Sequence, residues 1–396
     1  MHIQTPPLGW NTWNTYGHNI SEALVLESAQ AMVDSGLKDA GYEYVVIDDT
    51  WQCHARDAQG RLVPDPEKFP HGIKYVADKV HAMGLKLGIY SCVGFQTCGG
   101  YPGSYDHEWI DARTFAEWEV DFLKYDYCFR ATSVDPDTLY KRMGLALANC
   151  GRDIVFSACS WGSDNTKVWI KETGAHMWRS TGDITDSWQS IKSLAQSQIV
   201  AQEYNGQGCF NDMDMLVVGM NGKGHVGLTG CTTEEYKLHF SLWALLGSPL
   251  MFGCDIRSMD AETKNILTNR EILAINQDPA ARQPFFVGRR HLDARQTRTL
   301  QEPFYANFDL DKPILAKFLD NGDIALGFFN FTDETVPTQL IAVTADKLGL
   351  SRAHGKSLEL TDLWTGERFS WDNEVIRVPS LEAHCCRMLR AKVVDR

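Results

Sequence analysis

Eight short apolar runs, spread along the chain and separated by stretches of helical periodicity, constrain its folding more than any other feature. The runs are Leu8–Trp13, Tyr42–Asp49, Lys86–Ser91, Asp121–Tyr127, Asp153–Ser160, Met177–Asp183, Cys209–Leu216 and Ser248–Asp255. Between them apolar residues recur three and four apart, as at Ala23, Leu26, Ala29, Val33 and Leu37, or at Ile73, Val76, Ala77, Val80 and Met83. Each stretch closes near a glycine that can take the left-handed conformation of a helix end. Strict alternation of buried strand and helix predicts a parallel sheet, and eight repeats predict its closure into a (β/α)8 TIM barrel. After Asn276-Gln277-Asp278-Pro279 the pattern changes to short alternating strands, such as Ile314–Phe318, Ile324–Asn330 and Ser357–Leu360, broken by the turn dipeptides Asn321-Gly322 and Thr365-Gly366. The expected class is α/β: a barrel over 1–283, then a small C-terminal antiparallel β-sandwich over 284–396.

Composition narrows the partners. Of 396 residues, 38 are Lys or Arg and 51 are Asp or Glu, a formal net charge of −13 with no basic run longer than Arg289-Arg290. Binding to a phosphate backbone needs clustered cations, so nucleic acid is not an expected partner. No stretch approaches the roughly 20 apolar residues of a membrane span, and the start, Met1-His2-Ile3-Gln4-Thr5-Pro6-Pro7, lacks the cationic and apolar regions of a signal peptide. The chain as given therefore reads as cytoplasmic, or as a mature secreted form that has lost its leader. Its 11 cysteines show no CxxC and no Cys/His ligand spacing, which argues against a zinc site.

In a barrel of this kind the chemistry sits at the C-terminal ends of the strands. Strand one ends in Trp10, Asn11 and Trp13, strand two in Asp48-Asp49, strand three in Tyr90, and strand four in Lys124, Asp126 and Cys128. Strand five ends in Cys159-Ser160-Trp161, strand six in Arg179 and Asp183, strand seven in Asp212 and Asp214, and strand eight in Asp255. A single aspartate after a strand is commonly a helix N-cap, the reading kept for Asp186 and Asp255. Six carboxylates on one rim, with Lys124 two residues before Asp126 and so on the same strand face, need another explanation. A divalent metal would use several of the oxygens together. A glycosidase would use two carboxylates across the scissile bond, polar groups on the sugar hydroxyls and aromatic rings on its apolar face. Trp10, Trp13, Trp51, Tyr90, Trp161 and Trp178, interleaved with the acids, favour the sugar. A Gly-rich phosphate loop after strands seven and eight is not seen, which weighs against a phosphosugar enzyme.

The motifs that carry these residues resemble glycoside hydrolase family 27, the α-galactosidases and α-N-acetylgalactosaminidases. They are Leu8-Gly9-Trp10-Asn11-Thr12-Trp13-Asn14, Ile47-Asp48-Asp49, Phe69-Pro70-His71-Gly72-Ile73, Gly84 to Tyr90, Phe122-Leu123-Lys124-Tyr125-Asp126-Tyr127-Cys128, Trp178-Arg179 to Asp183-Ile184, and Asn211-Asp212-Met213-Asp214-Met215. The resemblance implies a retaining exo-glycosidase acting through a covalent intermediate, with Asp126 as nucleophile and Asp183 as general acid/base. It further implies that Asp48, Asp49, Lys124 and Asp214 bind the hydroxyls of the terminal sugar, that Arg179 lies beside its C2 substituent, and that Trp13, Tyr90 and Met215 line its apolar face. On this reading Lys124 helps to keep Asp126 ionised, and Asp183 needs a raised pKa to hold its proton. The resemblance also pairs Cys98 with Cys128 as a disulfide, while Tyr16 and Thr50 stand where many members carry a second bridge.

Strand five departs from the galactosidase pattern. Ser160 replaces the glutamate of Cys-Glu-Trp that holds a 2-hydroxyl, and α-N-acetylgalactosaminidases also carry serine there. α-Galactosidase is ranked first, α-N-acetylgalactosaminidase second and β-L-arabinopyranosidase third, since Asp48-Asp49 resembles the galactose-binding version. The expected partner is a carbohydrate bearing a terminal α-galactoside or α-N-acetylgalactosaminide; no cofactor and no metal are expected, and a homo-oligomer is left open. A silent carbohydrate-binding protein and a metal-dependent barrel enzyme are the competing classes.

Overall fold

The computed structural model describes residues 3–287, 309–337, 342–344, 348–350, 355–371 and 375–395. Eight parallel strands form one sheet: β1 (Leu8–Asn11), β2 (Tyr44–Val46), β3 (Lys86–Cys92), β4 (Phe122–Asp126), β5 (Val155–Ala158), β6 (Met177–Arg179), β7 (Phe210–Asp212) and β8 (Leu250–Phe252). They neighbour one another in sequence order, with β8 beside β1. A parallel bridge between Leu216 and Phe252 joins the segment after β7 to β8, so the order returns on itself as a barrel requires. The strands are largely buried because both faces are covered; in β3, for example, every residue after Lys86 is buried.

Except for β3, which runs one residue further, the observed strands are shorter than the apolar runs, mostly at their C-terminal ends. Asp48, Asp49, Asp183 and Asp214 all lie beyond the last ladder residue of their strands. There the backbone leaves the sheet and turns: Thr50, Phe129, Trp161, Asp164, Asn165 and Asp214, six non-glycine residues after β2, β4, β5 and β7, hold left-handed φ between 47° and 81°. Such conformations cost energy and persist only where surrounding bonds enforce them.

The connecting helices follow the expected positions. Helix Gly72–Ala82 buries Ile73, Val76, Ala77 and Val80 as its periodicity predicts. Helix Glu22–Asp34 buries Ala29 as expected, but its face is otherwise rotated: Leu24, Val25, Ser28 and Met32 are buried and Ala23 is exposed. Asp255 caps the short helix Ile256–Ser258 through the Arg257 amide, as anticipated. At the start of helix Trp188–Ile199 the Ser187 hydroxyl accepts from the Ser190 amide at 3.3 Å, whereas Asp186, expected as a cap, is fully buried and accepts from the Gly222 amide at 2.7 Å.

Internal contacts divide the chain into two compact units, Met1–Leu194 with Tyr204–Cys231 and Ser248–Thr268, and Ala195–Glu203 with Thr232–Gly247 and Asn269–Arg396. The second unit contains an antiparallel sheet of Phe285–Phe286, Ile314–Phe318, Ile324–Phe329, Cys386–Asp395, Lys356–Asp362 and Arg368–Trp371, in that order, and a two-stranded sheet of Ala342–Thr344 with Val375–Arg377. Its core joins Ala316, Leu326, Phe328, Leu358 and Leu389 from the larger sheet to Ile376 from the smaller, which is the two-layer packing expected of a sandwich. Lys317 is buried in this unit; its ammonium donates to the Ile275 carbonyl at 2.9 Å, and burial pushes its pKa down to about 8.

Candidate functional site

At the C-terminal rim of the barrel a cavity of about 510 Å³ is bounded by Trp13, Asp48, Asp49, Tyr90, Lys124, Asp126, Arg179, Asp183, Asp214 and Met215. These are ten of the eleven residues expected to bind or react. They come from six strand ends and are held by two networks of ions and hydrogen bonds.

The first network is centred on Lys124. The register sets Tyr90 opposite Lys124 and Cys92 opposite Asp126, so the side chains of β3 and β4 meet on the inner face. Lys124 donates to Asp48 Oδ2 at 2.7 Å, an oxygen that also accepts from Asn11 Nδ2 at 2.7 Å. Its ammonium stands 5.3 Å from the centre of the Tyr90 ring. Asp48 is 2% exposed, and the pair with Lys124 compensates a charge that would otherwise be costly to bury. Asp49 is fixed by backbone donors, the Gly99 amide on Oδ2 and the Thr50 amide on Oδ1, each at 2.7 Å. Burial raises the Asp49 pKa, and the Gly99 bond opposes the rise.

Asp126 accepts from the Tyr127 amide at 2.8 Å and from the Tyr90 hydroxyl at 3.1 Å, one bond on each oxygen. Burial pushes its pKa up to about 6, while Lys124 and the Tyr127 amide pull against the shift. Lys124 thus favours the Asp126 anion, as expected, but does not set the direction of the net shift. Lys124 already neutralises Asp48, and desolvation outweighs what remains of its influence on Asp126.

Arg179 organises the second network. Its Nη2 lies 2.7 Å from both Asp183 Oδ1 and Asp214 Oδ2, and Nη1 reaches Cys159 Sγ at 3.6 Å. The guanidinium is 5% exposed whereas the Asp183 side chain is 76% exposed, so Asp183 hangs into the mouth from a buried cation. Burial raises the Asp183 pKa, but the Arg179 charge and hydrogen bond overcome it and the net shift is downward. The raised pKa expected from the sequence is not what this arrangement produces. Asp214, held by Arg179 and by the Ile184 amide at 2.6 Å, is raised by burial. Asp212 is not at the cavity wall. It lies beneath it, accepts from the Asp214 amide at 3.0 Å, and is pushed up to about 6 by burial.

Ser160 is the eleventh residue, and it does not border the cavity. It is fully buried and shares a 2.7 Å hydrogen bond with Thr166. The wall after β5 is instead Trp161, turned inward by φ 58° and packed edge-on at 5.9 Å to Tyr127. The aromatic residues thus divide. Trp13, Tyr90 and Trp161 border the cavity, but Trp10, Trp51 and Trp178 are core, with the Trp10 indole bonded to the Cys254 carbonyl and the Trp51 indole to the Tyr90 carbonyl. Asn14, Ile184 and Val226 also contribute and were not singled out. Asn14 and Ile184 adjoin the residues that were, but Val226 belongs to a long loop without a motif.

Cys98 and Cys128 form a disulfide, and Cys98 borders the cavity. Their sulfurs are therefore not free to bind a metal beside Asp126. A second acidic group, Asp78, His81 and Glu119, is threaded by Lys74, which pairs with both Asp78 and Glu119. That makes it a surface ion-pair network.

Residues 5–278 match the family model described as alpha galactosidase A, and residues 310–391 match the alpha galactosidase C-terminal beta sandwich domain. The chain belongs to glycoside hydrolase family 27. It is a glycoside hydrolase of the α-galactosidase type. It is 42% identical to α-galactosidase 3 of Arabidopsis thaliana over 97% of this chain and 81% of that one, and 51% identical to the α-galactosidase of Coffea arabica over 69% and 70%. The crystal structure of a putative α-galactosidase/melibiase from Bacteroides fragilis superposes with a TM-score of 0.87 at 39% identity, covering 98% of this chain and 80% of that one. No helix among the described residues is long and apolar enough to cross a membrane.

Proposed function

We propose that this member of the family removes terminal α-linked D-galactose from oligosaccharides or glycoconjugates with retention of configuration, through a covalent intermediate on Asp126. The observation that carries the reading is the placement of Asp126. It is a buried carboxylate with one donor on each oxygen, in the same cavity as a second, solvent-reaching carboxylate, Asp183. That pairing suits double displacement. In the first step an Asp126 oxygen attacks the anomeric carbon while Asp183 gives its proton to the glycosidic oxygen, and the leaving alcohol departs. In the second, Asp183 takes a proton from water, the water oxygen bonds to the anomeric carbon, and Asp126 leaves as carboxylate. Asp48, Asp49, Lys124 and Asp214 hold the sugar hydroxyls, and Trp13, Tyr90 and Met215 pack against its apolar face.

Asp183 must be protonated for the first step, yet Arg179 favours its anion. A sugar hydroxyl that accepts from Arg179 weakens this bond, and a pyranose that displaces water from the mouth desolvates the carboxyl. Both effects raise the Asp183 pKa when it is needed.

The case for a 2-acetamido sugar rested on Ser160. Its burial against Thr166 removes that support, because the wall after β5 is the Trp161 ring. Galactose is accordingly preferred over N-acetylgalactosamine, and the names of the curated relatives point the same way.

Asp126→Ala tests the reading: turnover of an aryl α-galactoside should fall by roughly four or more orders of magnitude while galactose still binds, and azide should restore some turnover with inverted product. Near wild-type turnover in this variant would remove Asp126 from the mechanism. Proton NMR of the wild-type reaction should show the α-anomer first; a β-anomer would exclude retention. Wild-type rates on aryl α-galactoside should exceed those on aryl α-N-acetylgalactosaminide and aryl β-L-arabinopyranoside.

A further inference from the structure

Outside the cavity, beside its disulfide wall, two aromatic rings are presented to solvent by backbone built to hold them there. Phe95 is 59% and Phe129 58% exposed. They stand on adjacent segments, the loop after β3 and the turn after β4, joined by hydrogen bonds from Val93 N to the Asp126 carbonyl at 2.9 Å and from Phe95 N to the Phe129 carbonyl at 3.2 Å. The Cys98–Cys128 bridge ties the same two segments. Gly94 makes the approach possible, since a Cβ there would fall 2.0 Å from the Cys128 carbonyl oxygen. Tyr105 braces Phe95 from behind, with ring centres 4.5 Å apart.

Two features separate this pair from scattered surface apolar residues, which need no explanation. Phe129 holds φ 47°, a conformation unfavourable for a bulky side chain, and most of its ring remains in water. The Phe95 amide on the Phe129 carbonyl and the adjoining disulfide hold this backbone in place, and strain of this kind gathers at ligand sites. The pair is also anchored to the reacting centre. Phe129 follows Asp126 by three residues, and the bridge that flanks both rings ends at Cys98 in the cavity wall.

We propose that Phe95 and Phe129 form a leaving-group subsite that takes the apolar face of the sugar next to the terminal galactosyl unit, a proposal that rests on the α-galactosidase reading. Aromatic rings bind the C–H face of a pyranose by dispersion and desolvation, and a pair held rigid beforehand loses little freedom on binding. Two rings alone are a small surface for association with a second copy, where stable interfaces bury about 800 Å² on each partner.

The test compares two substrates with the same galactosyl unit, raffinose, whose leaving group is a disaccharide, and α-galactosyl fluoride, whose leaving group has no ring. In Phe95→Ala/Phe129→Ala, KM for raffinose should rise about tenfold with kcat little changed, as expected when uniform binding is lost. Kinetics on the fluoride should stay within about twofold of wild type, and Phe129→Tyr should behave as wild type on both substrates. An unchanged raffinose KM in the double variant would overturn the proposal. So would an equal loss on both substrates, or a shift from dimer to monomer in sedimentation with raffinose kinetics intact. Failure of the wild type on the fluoride would overturn the underlying α-galactosidase reading instead.

Discussion

Asp126, the proposed nucleophile, illustrates how a buried acid can weaken the molecule that holds it. In the folded chain its proton is retained up to about pH 6, against about 3.9 for a free aspartate. The folded state therefore binds the extra proton between these values. Stability falls as pH rises from about 4 to about 6, and the loss persists above that range. Asp126→Asn cannot ionise, and Lys124 keeps Asp48 as its partner. This variant should be inactive yet more stable than wild type by about 3 kcal/mol at pH 7.5, with a clearly smaller gain at pH 4.5. Denaturant unfolding at the two pH values measures both, and a pH-independent difference would contradict the assignment. At this scale the identities of the acids and their convergence on one rim were legible, because strand alternation and strand-end position follow from sequence. Their charge states were not legible. Whether Lys124 serves Asp48 or Asp126, and whether Arg179 seizes Asp183, depends on bonds between residues distant in sequence. The same holds for tryptophan, which serves equally as core or as sugar platform, so Trp51 and Trp161 read alike until their neighbours are known.

Among elements, the eight strands and their order were legible, and their ends were not. Burial continues past the ladder at Asp48-Asp49 and at Asp214 because the barrel mouth is itself buried, and no periodicity distinguishes a buried turn from a buried strand. The face of helix Glu22–Asp34 was misread for a related reason: Ser28 is buried there although it carries no apolar signal. Close packing between elements is equally silent in sequence. Helix Pro136–Ala148 carries Gly144 in its interior, where alanine would ordinarily gain about 1 kcal/mol of helix propensity. A Cβ at Gly144 would lie 1.9 Å from the Thr173 carbonyl oxygen at the end of the short helix Ile170–Thr173. The obstacle is backbone, which cannot rotate aside, and overpacking of this kind costs about 1–3 kcal/mol or more. Gly144→Ala should therefore lower Tm by a few degrees despite the better helix former. A rise in Tm would show that the two helices can separate without penalty.

Across the whole molecule, composition argued against polyanionic partners and named none, since a net charge of −13 disfavours polyanions but is indifferent to neutral sugars. The barrel and the sandwich announced themselves because each has its own period and turn chemistry. The backbone at the mouth did not. Thr50, Phe129 and Trp161 hold a conformation that their residue types avoid, and nothing in their identities advertises it, whereas Asp164, Asn165 and Asp214 are of the types that tolerate it best. All six lie after β2, β4, β5 or β7, on the face that carries the cavity, while Glu119 holds φ 59° before β4 at the opposite end. Strain of about 1–3 kcal/mol at each such position is tolerated while the surrounding network is intact, and local opening starts where the margin is smallest. On a heating ramp, catalytic activity should disappear several degrees before far-UV circular dichroism reports loss of the barrel, and brief cooling from that interval should restore it. Coincident loss of both signals would show the mouth to be as durable as the sheet. The enzyme would otherwise have two lifetimes at elevated temperature, a shorter one as a catalyst and a longer one as a folded protein.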